Sequence, residues 1–139
     1  MRAVIDTNVL VSALLARISL PAQILALWRA GRFDILTATE HLDELMRVSR
    51  YPRIRERVSP ASFGRLVNEL RDVAILVSDL PVVTVCPDRH DNYLLAMAEA
   101  GSADFLVTGD KRDLLGLKAY GGARITTVRD FLVLHGRLP

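Results

Sequence analysis

The stretch that most constrains this chain is Ala3-Val4-Ile5-Asp6-Thr7-Asn8. An apolar run without alternation ends abruptly at an acid, and an apolar helical pattern starts at Val9. Such a run describes a strand covered on both faces, as inside a parallel sheet. Asp6 is then delivered to the carboxyl end of the first strand, the edge at which open α/β sheets bind ligands. A carboxylate there is costly unless it is paired, bound to metal or used as the N-cap of the next helix. The pattern returns at Asp104-Phe105-Leu106-Val107-Thr108-Gly109-Asp110. Two strands that each end in an acid point to one shared site.

The rest of the chain alternates strand and helix signals. Strands are predicted over Arg2–Asp6, Phe33–Thr37, Val82–Val85, Asp104–Thr108 and Arg124–Thr126, with Leu76–Leu80 as a connector or edge segment. The first helix is expected over Asn8–Ala16. Ser19 and Pro21 open a second, which Gly31 closes. Thr39 is assigned as the cap of a third, running to about Arg50, with Leu42, Leu45, Met46 and Ser49 inward and Glu44 at a cleft edge. Ser59-Pro60 opens a fourth, to about Asp72, and a fifth spans Asn92–Ala100, closed by Gly101. A helical turn follows around Leu114–Leu117. A last helix starts at the capping-box spacing Thr127-Val128-Arg129-Asp130 and ends at Gly136. Trp28 is read as packing, and Glu40 and Asp43 as solvated. This order implies βαβ units, parallel pairing and right-handed crossovers.

At 139 residues one domain spanning 1–139 is expected. One cysteine, Cys86, and three scattered histidines argue against an internal disulfide or a zinc site. Met1–Leu15 resembles a signal peptide in hydropathy, but Asp6 and Asn8 interrupt it, so a mature strand in a cytoplasmic protein is expected. No apolar run reaches the roughly 18 residues of a spanning helix. Sixteen of the eighteen basic residues are Arg, and Arg47, Arg50, Arg53, Arg55 and Arg57 cluster before the fourth helix. The guanidinium fork suits phosphate, so this segment is a candidate contact for nucleic acid or an acidic partner, or else a solvated helix face with pairs such as Asp43–Arg47.

Asp88 and Asp91 flank the start of the fifth helix. One is expected to cap it, and Leu94 and Leu95 place Asp91 on the buried side. His90 is assigned a solvent role. The candidate site is therefore Asp6, Glu44, Asp91 and Asp110, with Asp88 and Asp113 nearby. Converging carboxylates repel one another unless a cation intervenes, and oxygen-only ligands select Mg²⁺ or Mn²⁺. Such a cation can activate water and stabilise a phosphodiester in displacement. A strand-end phosphatase would need a second acid where Asn8 stands, and no Gly-rich phosphate loop is present.

At this point the chain resembles the PIN domain family. Val4-Ile5-Asp6-Thr7-Asn8-Val9-Leu10 is similar to its opening motif, and Glu44-Leu45-Met46-Arg47-Val48 before Arg50-Tyr51-Pro52 to its second. Asp88-Arg89-His90-Asp91-Asn92 resembles the third motif, and Leu106-Val107-Thr108-Gly109-Asp110 with Asp113-Leu114-Leu115 the fourth. Where relatives often carry Arg-Asp-Pro, this chain has Pro87-Asp88-Arg89, which leaves the roles of Asp88 and Asp91 undivided. The resemblance is to the VapC-like branch of bacterial toxins from toxin–antitoxin pairs. It implies a three-layer Rossmann-like α/β fold with a central parallel sheet of about five strands. It also implies a Mg²⁺- or Mn²⁺-dependent ribonuclease with Asp6, Glu44, Asp91 and Asp110 as metal-binding acids. Asn8 and Thr108 would be polar supports, and Asp88 and Asp113 accessory acids. The implied partners are RNA, a small antitoxin and a second copy of the chain. The alternative reading is a PIN-like RNA-binding or scaffold module with little or no nuclease activity. On the nuclease reading, Asp6→Asn is expected to abolish activity while metal-free stability holds or rises, because like charges are relieved.

Overall fold

The computed structural model describes residues 1–109 and 111–135. Its centre is a six-stranded sheet in the order β3-β2-β1-β4-β6-β5. The strands are β1 (Arg2–Ile5), β2 (Asp34–Thr37), β3 (Ile75–Leu76), β4 (Phe105–Thr108), β5 (Ala119–Tyr120) and β6 (Ala123–Thr127). All neighbours pair in parallel except β5 and β6. That exception is a hairpin with Gly121-Gly122 as its loop, at φ +56° and +87°. Two successive positive φ angles fit a tight hairpin turn, and glycine adopts them without a Cβ penalty.

Side chains alternate across the sheet and both faces are covered. From β1, Ala3 and Ile5 enter one apolar cluster, and Val4 enters the other. The first cluster gathers α1 (Thr7–Leu15), α2 (Leu20–Arg29), α3 (Thr39–Val48), α5 (Pro60–Val73) and α8 (Val128–Leu134). The second gathers α6 (Arg89–Ala100) and α7 (Arg112–Leu117). A single turn, α4 (Pro52–Arg55), follows α3. The result is a three-layer α/β fold, and two-sided burial is why the strands read as continuous apolar runs.

Local signals placed most helix starts. Ser19, Ser59 and Thr127 each accept a hydrogen bond from a first-turn N–H, and Pro21 and Pro60 lie in the first turns of α2 and α5. Trp28 is buried, as are Phe63, Leu66, Val67 and Leu70 along α5. The end of α8 expected at Gly136 lies outside the described residues.

Three expectations are corrected. Val82–Val85 is not a strand. Residues 81–84 are irregular, with Val82 93% exposed, and the edge of the sheet is β3 instead. The run has β-branched residues but makes no pairing with β3, the edge strand. Leu80 and Val83 pack on the second cluster from a loop. Two short strands, β3 and β5, bring the count to six. Second, Thr39 is the first residue of α3, and Ala38 occupies the cap position with no side-chain hydrogen bond. Third, Met46 is exposed, whereas His41 joins Leu42, Leu45 and Val48 on the buried side. Among the described residues, no single helix is long and apolar enough to cross a membrane.

Candidate active site

Asp6 follows β1 directly and is fully buried. Its backbone N–H donates to the Val107 carbonyl at 2.9 Å, which locks the end of β1 against β4. That pairing sets Thr108 beside Asp6, and the Thr108 hydroxyl donates to Asp6 Oδ2 at 2.8 Å. Asp6 is also the N-cap of α1, its Oδ1 accepting from the Asn8 N–H at 3.4 Å. The capping role and the site role therefore coexist. Asn8 contributes its backbone, while its side chain faces solvent.

Asp91 enters from the first turn of α6 and is 3% exposed. Lys111 joins the two acids: its Nζ donates to Asp91 Oδ1 at 3.1 Å and lies 3.5 Å from Asp6 Oδ2. Two buried carboxylates from different elements thus face one ammonium. Burial alone would raise the Asp6 pKa, but His90, Lys111 and Thr108 together hold it below its ordinary value. Burial alone would lower the Lys111 pKa, and Asp6 and Asp91 outweigh it and raise the pKa.

His90 is the correction here. Its Nε2 sits 3.5 Å from Asp6 Oδ1 rather than in solvent. The first turn of α6 reaches the sheet edge, so a histidine with no His or Cys partner nearby in sequence meets the acid that follows β1. Asp88 caps α6, accepting the His90 N–H at 2.8 Å, and remains exposed. Asp113, in the first turn of α7, is exposed as well. Burial raises the Cys86 thiol pKa, and Asp91, Asp113 and Asp88 raise it further. Asn92 closes that loop: its amide accepts the Cys86 N–H and donates to the Cys86 carbonyl, both at 2.7 Å.

Glu44 is half-buried on α3 and pairs with Arg47 of the same helix; this is the ion pair found there, rather than Asp43–Arg47. Asp110 lies outside the described residues. Among the described residues, no group of three His, Cys, Asp or Glu is assembled to hold a metal. In kind, however, Asp6 and Asp91 fit a hard cation. They are oxygen donors at one point, and the Lys111 ammonium already stands between them.

Sequence reasoning missed His41. Its Nε2 donates to the Ile5 carbonyl at 2.7 Å, and its Nδ1 accepts from the Thr7 hydroxyl at 3.3 Å. It therefore braces both residues flanking Asp6. The readable signal was its place on the inward stripe of α3. The His41 ring meets Tyr93 edge-on at 6.0 Å, and Tyr93 lies 5.2 Å from His90. Burial, then Glu44 and Glu40, raise the Tyr93 pKa, so this phenol stays protonated.

Burial keeps His41 neutral, with its pKa below the ordinary 6.5. The unfolded chain takes up a proton below that pH that the folded chain refuses. Stability should therefore fall as pH drops from about 7 to about 5, by up to about 1.4 kcal/mol per pH unit. His41→Phe should remove that slope, while costing about 1–3 kcal/mol for the unpaired Ile5 carbonyl and Thr7 hydroxyl. Melting curves across this range test both; an unchanged slope in the variant would assign it elsewhere.

A concavity of about 770 Å³ between α1, α2 and α5 shares no residue with the acid site. Chemistry is assigned to the acids because charge and burial converge there, and cavity size alone does not bring reacting groups together.

Comparison with known proteins gives the family. An uncharacterized protein of Methanocaldococcus jannaschii is 28% identical over 118 residues, 84% of this chain and 75% of that protein. The crystal structure of VapBC2 from Rickettsia felis, bound to a DNA fragment from their promoter, contains a chain of the same fold. It matches with a TM-score of 0.53 and 19% identity over 91% of this chain and 98% of that one. A family model described as PIN domain matches residues 2–112. The chain belongs to the PIN domain family.

Proposed function

We propose that this PIN domain is a metal-dependent endoribonuclease acting as the toxin of a toxin–antitoxin pair in the cytoplasm. The observation that carries the reading is the convergence of buried Asp6 and Asp91 on one cationic group at the carboxyl edge of the parallel sheet. Asp6 and Asp91, completed by Asp110 and Glu44, would hold Mg²⁺ or Mn²⁺. When bound, such an ion supplies charge neutralisation at the phosphate and a water of lowered pKa. The chain's own groups do the rest. Thr108 and the Asn8 N–H fix the two oxygens of Asp6. His41 holds the backbone on either side of it. Lys111, beside both acids, would add positive charge for a phosphate bound there. Asp88 and Asp113 add negative charge at the rim.

The antitoxin partner is supported by the fold shared with a chain of the VapBC2 structure. A second copy of this chain and RNA complete the proposed partners. The assay is cleavage of single-stranded RNA by purified protein with EDTA, Mg²⁺ or Mn²⁺. Cleavage only with metal supports the nuclease. RNA binding with no cleavage under any metal would leave the scaffold reading in its place.

The Arg segment gives a separate prediction. Arg50, Arg53 and Arg55 are exposed and form no ion pair among the described residues. Arg53 also lines a depression of about 440 Å³ with Leu15, Tyr51 and Ile54. Replacing the three arginines by Gln should weaken RNA binding and flatten the slope of log K against log salt by about 2, for three phosphate contacts on a single strand. An unchanged slope would make the patch a solvated face.

A further inference from the structure

His90 brings an imidazole nitrogen to a site otherwise built of oxygen donors and an ammonium. Its Nε2 lies 3.5 Å from Asp6 Oδ1. That is long for a hydrogen bond, whose N···O distance is about 2.7–3.2 Å. It matches the separation of two donors on one ion. Ligand atoms about 2.0–2.2 Å from an ion stand about 3.0–3.5 Å apart between octahedral and tetrahedral angles. The His90 side chain is 22% exposed and that of Asp6 is fully buried, so the imidazole reaches solvent where the carboxylate does not.

The ring is held in place from two sides. Asp88 accepts the His90 N–H at 2.8 Å and fixes the first turn of α6. Tyr93, on the next turn, packs 5.2 Å from the imidazole at 58°. Tyr93 in turn meets His41 at 6.0 Å, and His41 is hydrogen-bonded to Ile5 and Thr7 on either side of Asp6. Imidazole and carboxylate are thus tied to one framework, which a solvated histidine would not need. A histidine that only shielded the Asp6 charge would duplicate Lys111, which already lies 3.5 Å from Oδ2. Asp91 is meanwhile paired with Lys111, and no trio of donors is assembled among the described residues. An ion held by all three would have to draw Asp91 from the ammonium.

We infer that His90 is a nitrogen ligand of the bound ion and makes the site select Mn²⁺ over Mg²⁺, an inference that rests on the metal-nuclease reading. Mg²⁺ takes oxygen ligands and dehydrates reluctantly, whereas first-row transition ions accept imidazole more readily. A ligating imidazole is neutral. It therefore adds a donor beside Asp6 and Asp91 without adding a third negative charge to repel them. Asp6 and Asp91 supply the charge that attracts a divalent ion, and His90 supplies the discrimination between ions.

The test uses purified metal-free protein and Mn²⁺ alone. Electron spin echo envelope modulation of the bound Mn²⁺ should show coupling to an imidazole ¹⁴N in wild type, and His90→Gln should abolish it. Gln keeps a side-chain N–H near Asp6 but offers the ion only an oxygen. Displacement of Mn²⁺ by Mg²⁺, followed by electron paramagnetic resonance, measures the preference, which should fall about tenfold in His90→Gln. Melting curves in EDTA check that the variant folds, and the wild-type spectrum decides the ligand whether or not it does. Bound Mn²⁺ without ¹⁴N coupling in wild type would overturn the inference. So would a coupling that survives in His90→Gln, or a preference for Mn²⁺ that the variant keeps, as expected if His90 only orients Asp6. RNA cleavage separates the two readings. Mn²⁺-dependent cleavage without ¹⁴N coupling would keep the nuclease and remove the nitrogen ligand. Coupling without cleavage would do the reverse, and failure to bind Mn²⁺ at all would remove both.

Discussion

Asp6→Asn is expected to abolish metal-dependent RNA cleavage and, against the expectation from the acids alone, to lower the stability of the metal-free protein. The carboxylate is fully buried, and it is kept ionised by Thr108, Lys111 and His90. Asn preserves the shape and can still cap α1. It loses the charge that pairs with Lys111, leaving that ammonium facing a neutral amide. The predicted cost is about 1–3 kcal/mol near neutral pH. The sign of the pH dependence follows from the depressed pKa. Asp6 stabilises the fold above its ordinary value of 3.8, and that contribution is lost as pH falls through the lower folded value. The gap between wild type and Asp6→Asn should therefore close in acid. The melting shift produced by Mn²⁺ should shrink in the variant, since the ion loses a full charge from its site. A mere cap would leave cleavage and the Mn²⁺ shift intact, and that outcome would end the metal-nuclease reading.

Lys111→Met should have the opposite effect on metal. The ammonium lies against both acids that would hold the ion, 3.5 Å from Asp6 and 3.1 Å from Asp91, so the two cations would compete for them. Removing the ammonium should tighten Mn²⁺ binding by about tenfold, or about 1.4 kcal/mol. It should also lower metal-free stability, because two buried carboxylates are left to repel. That loss is held to about 1 kcal/mol, since Lys111 is partly solvated and its pairing is screened. Its raised pKa gives the sign. The stabilisation is fully present below the ordinary 10.5 and disappears as pH rises through the higher folded value. Mn²⁺ titration by electron paramagnetic resonance, with melting curves in EDTA, measures both effects. Unchanged or weaker Mn²⁺ affinity would show that metal and ammonium do not share a position.

The sheet and half of its site were legible because their signals are local. β1 and β4 are apolar on both faces, so each ends sharply where a polar residue is tolerated, and that end carries Asp6 or Thr108. Capping residues at Ser19, Ser59 and Thr127 compete for the first N–H groups of their own helices, so they too can be read from neighbours. Asp91 could be placed inward from Leu94 and Leu95, one turn away on the same helix. Val82–Val85 failed for the converse reason. β-propensity describes a residue's fit to a pleated surface, whereas a strand also needs a ladder, and Val82–Val85 forms none with the edge strand β3.

The partners of Asp6 were beyond reach for the same kind of reason. Thr108 meets Asp6 across 102 residues of sequence, and His41, His90 and Lys111 likewise arrive from separate elements. No pattern in a linear chain records which charge will face which after three layers have packed. The chain alone determined that acids would gather at the carboxyl edge of a parallel sheet, because strand burial and polarity are local properties. Only the tertiary structure decided that those acids would be balanced by an ammonium and an imidazole, because charge pairing is set by distance in space.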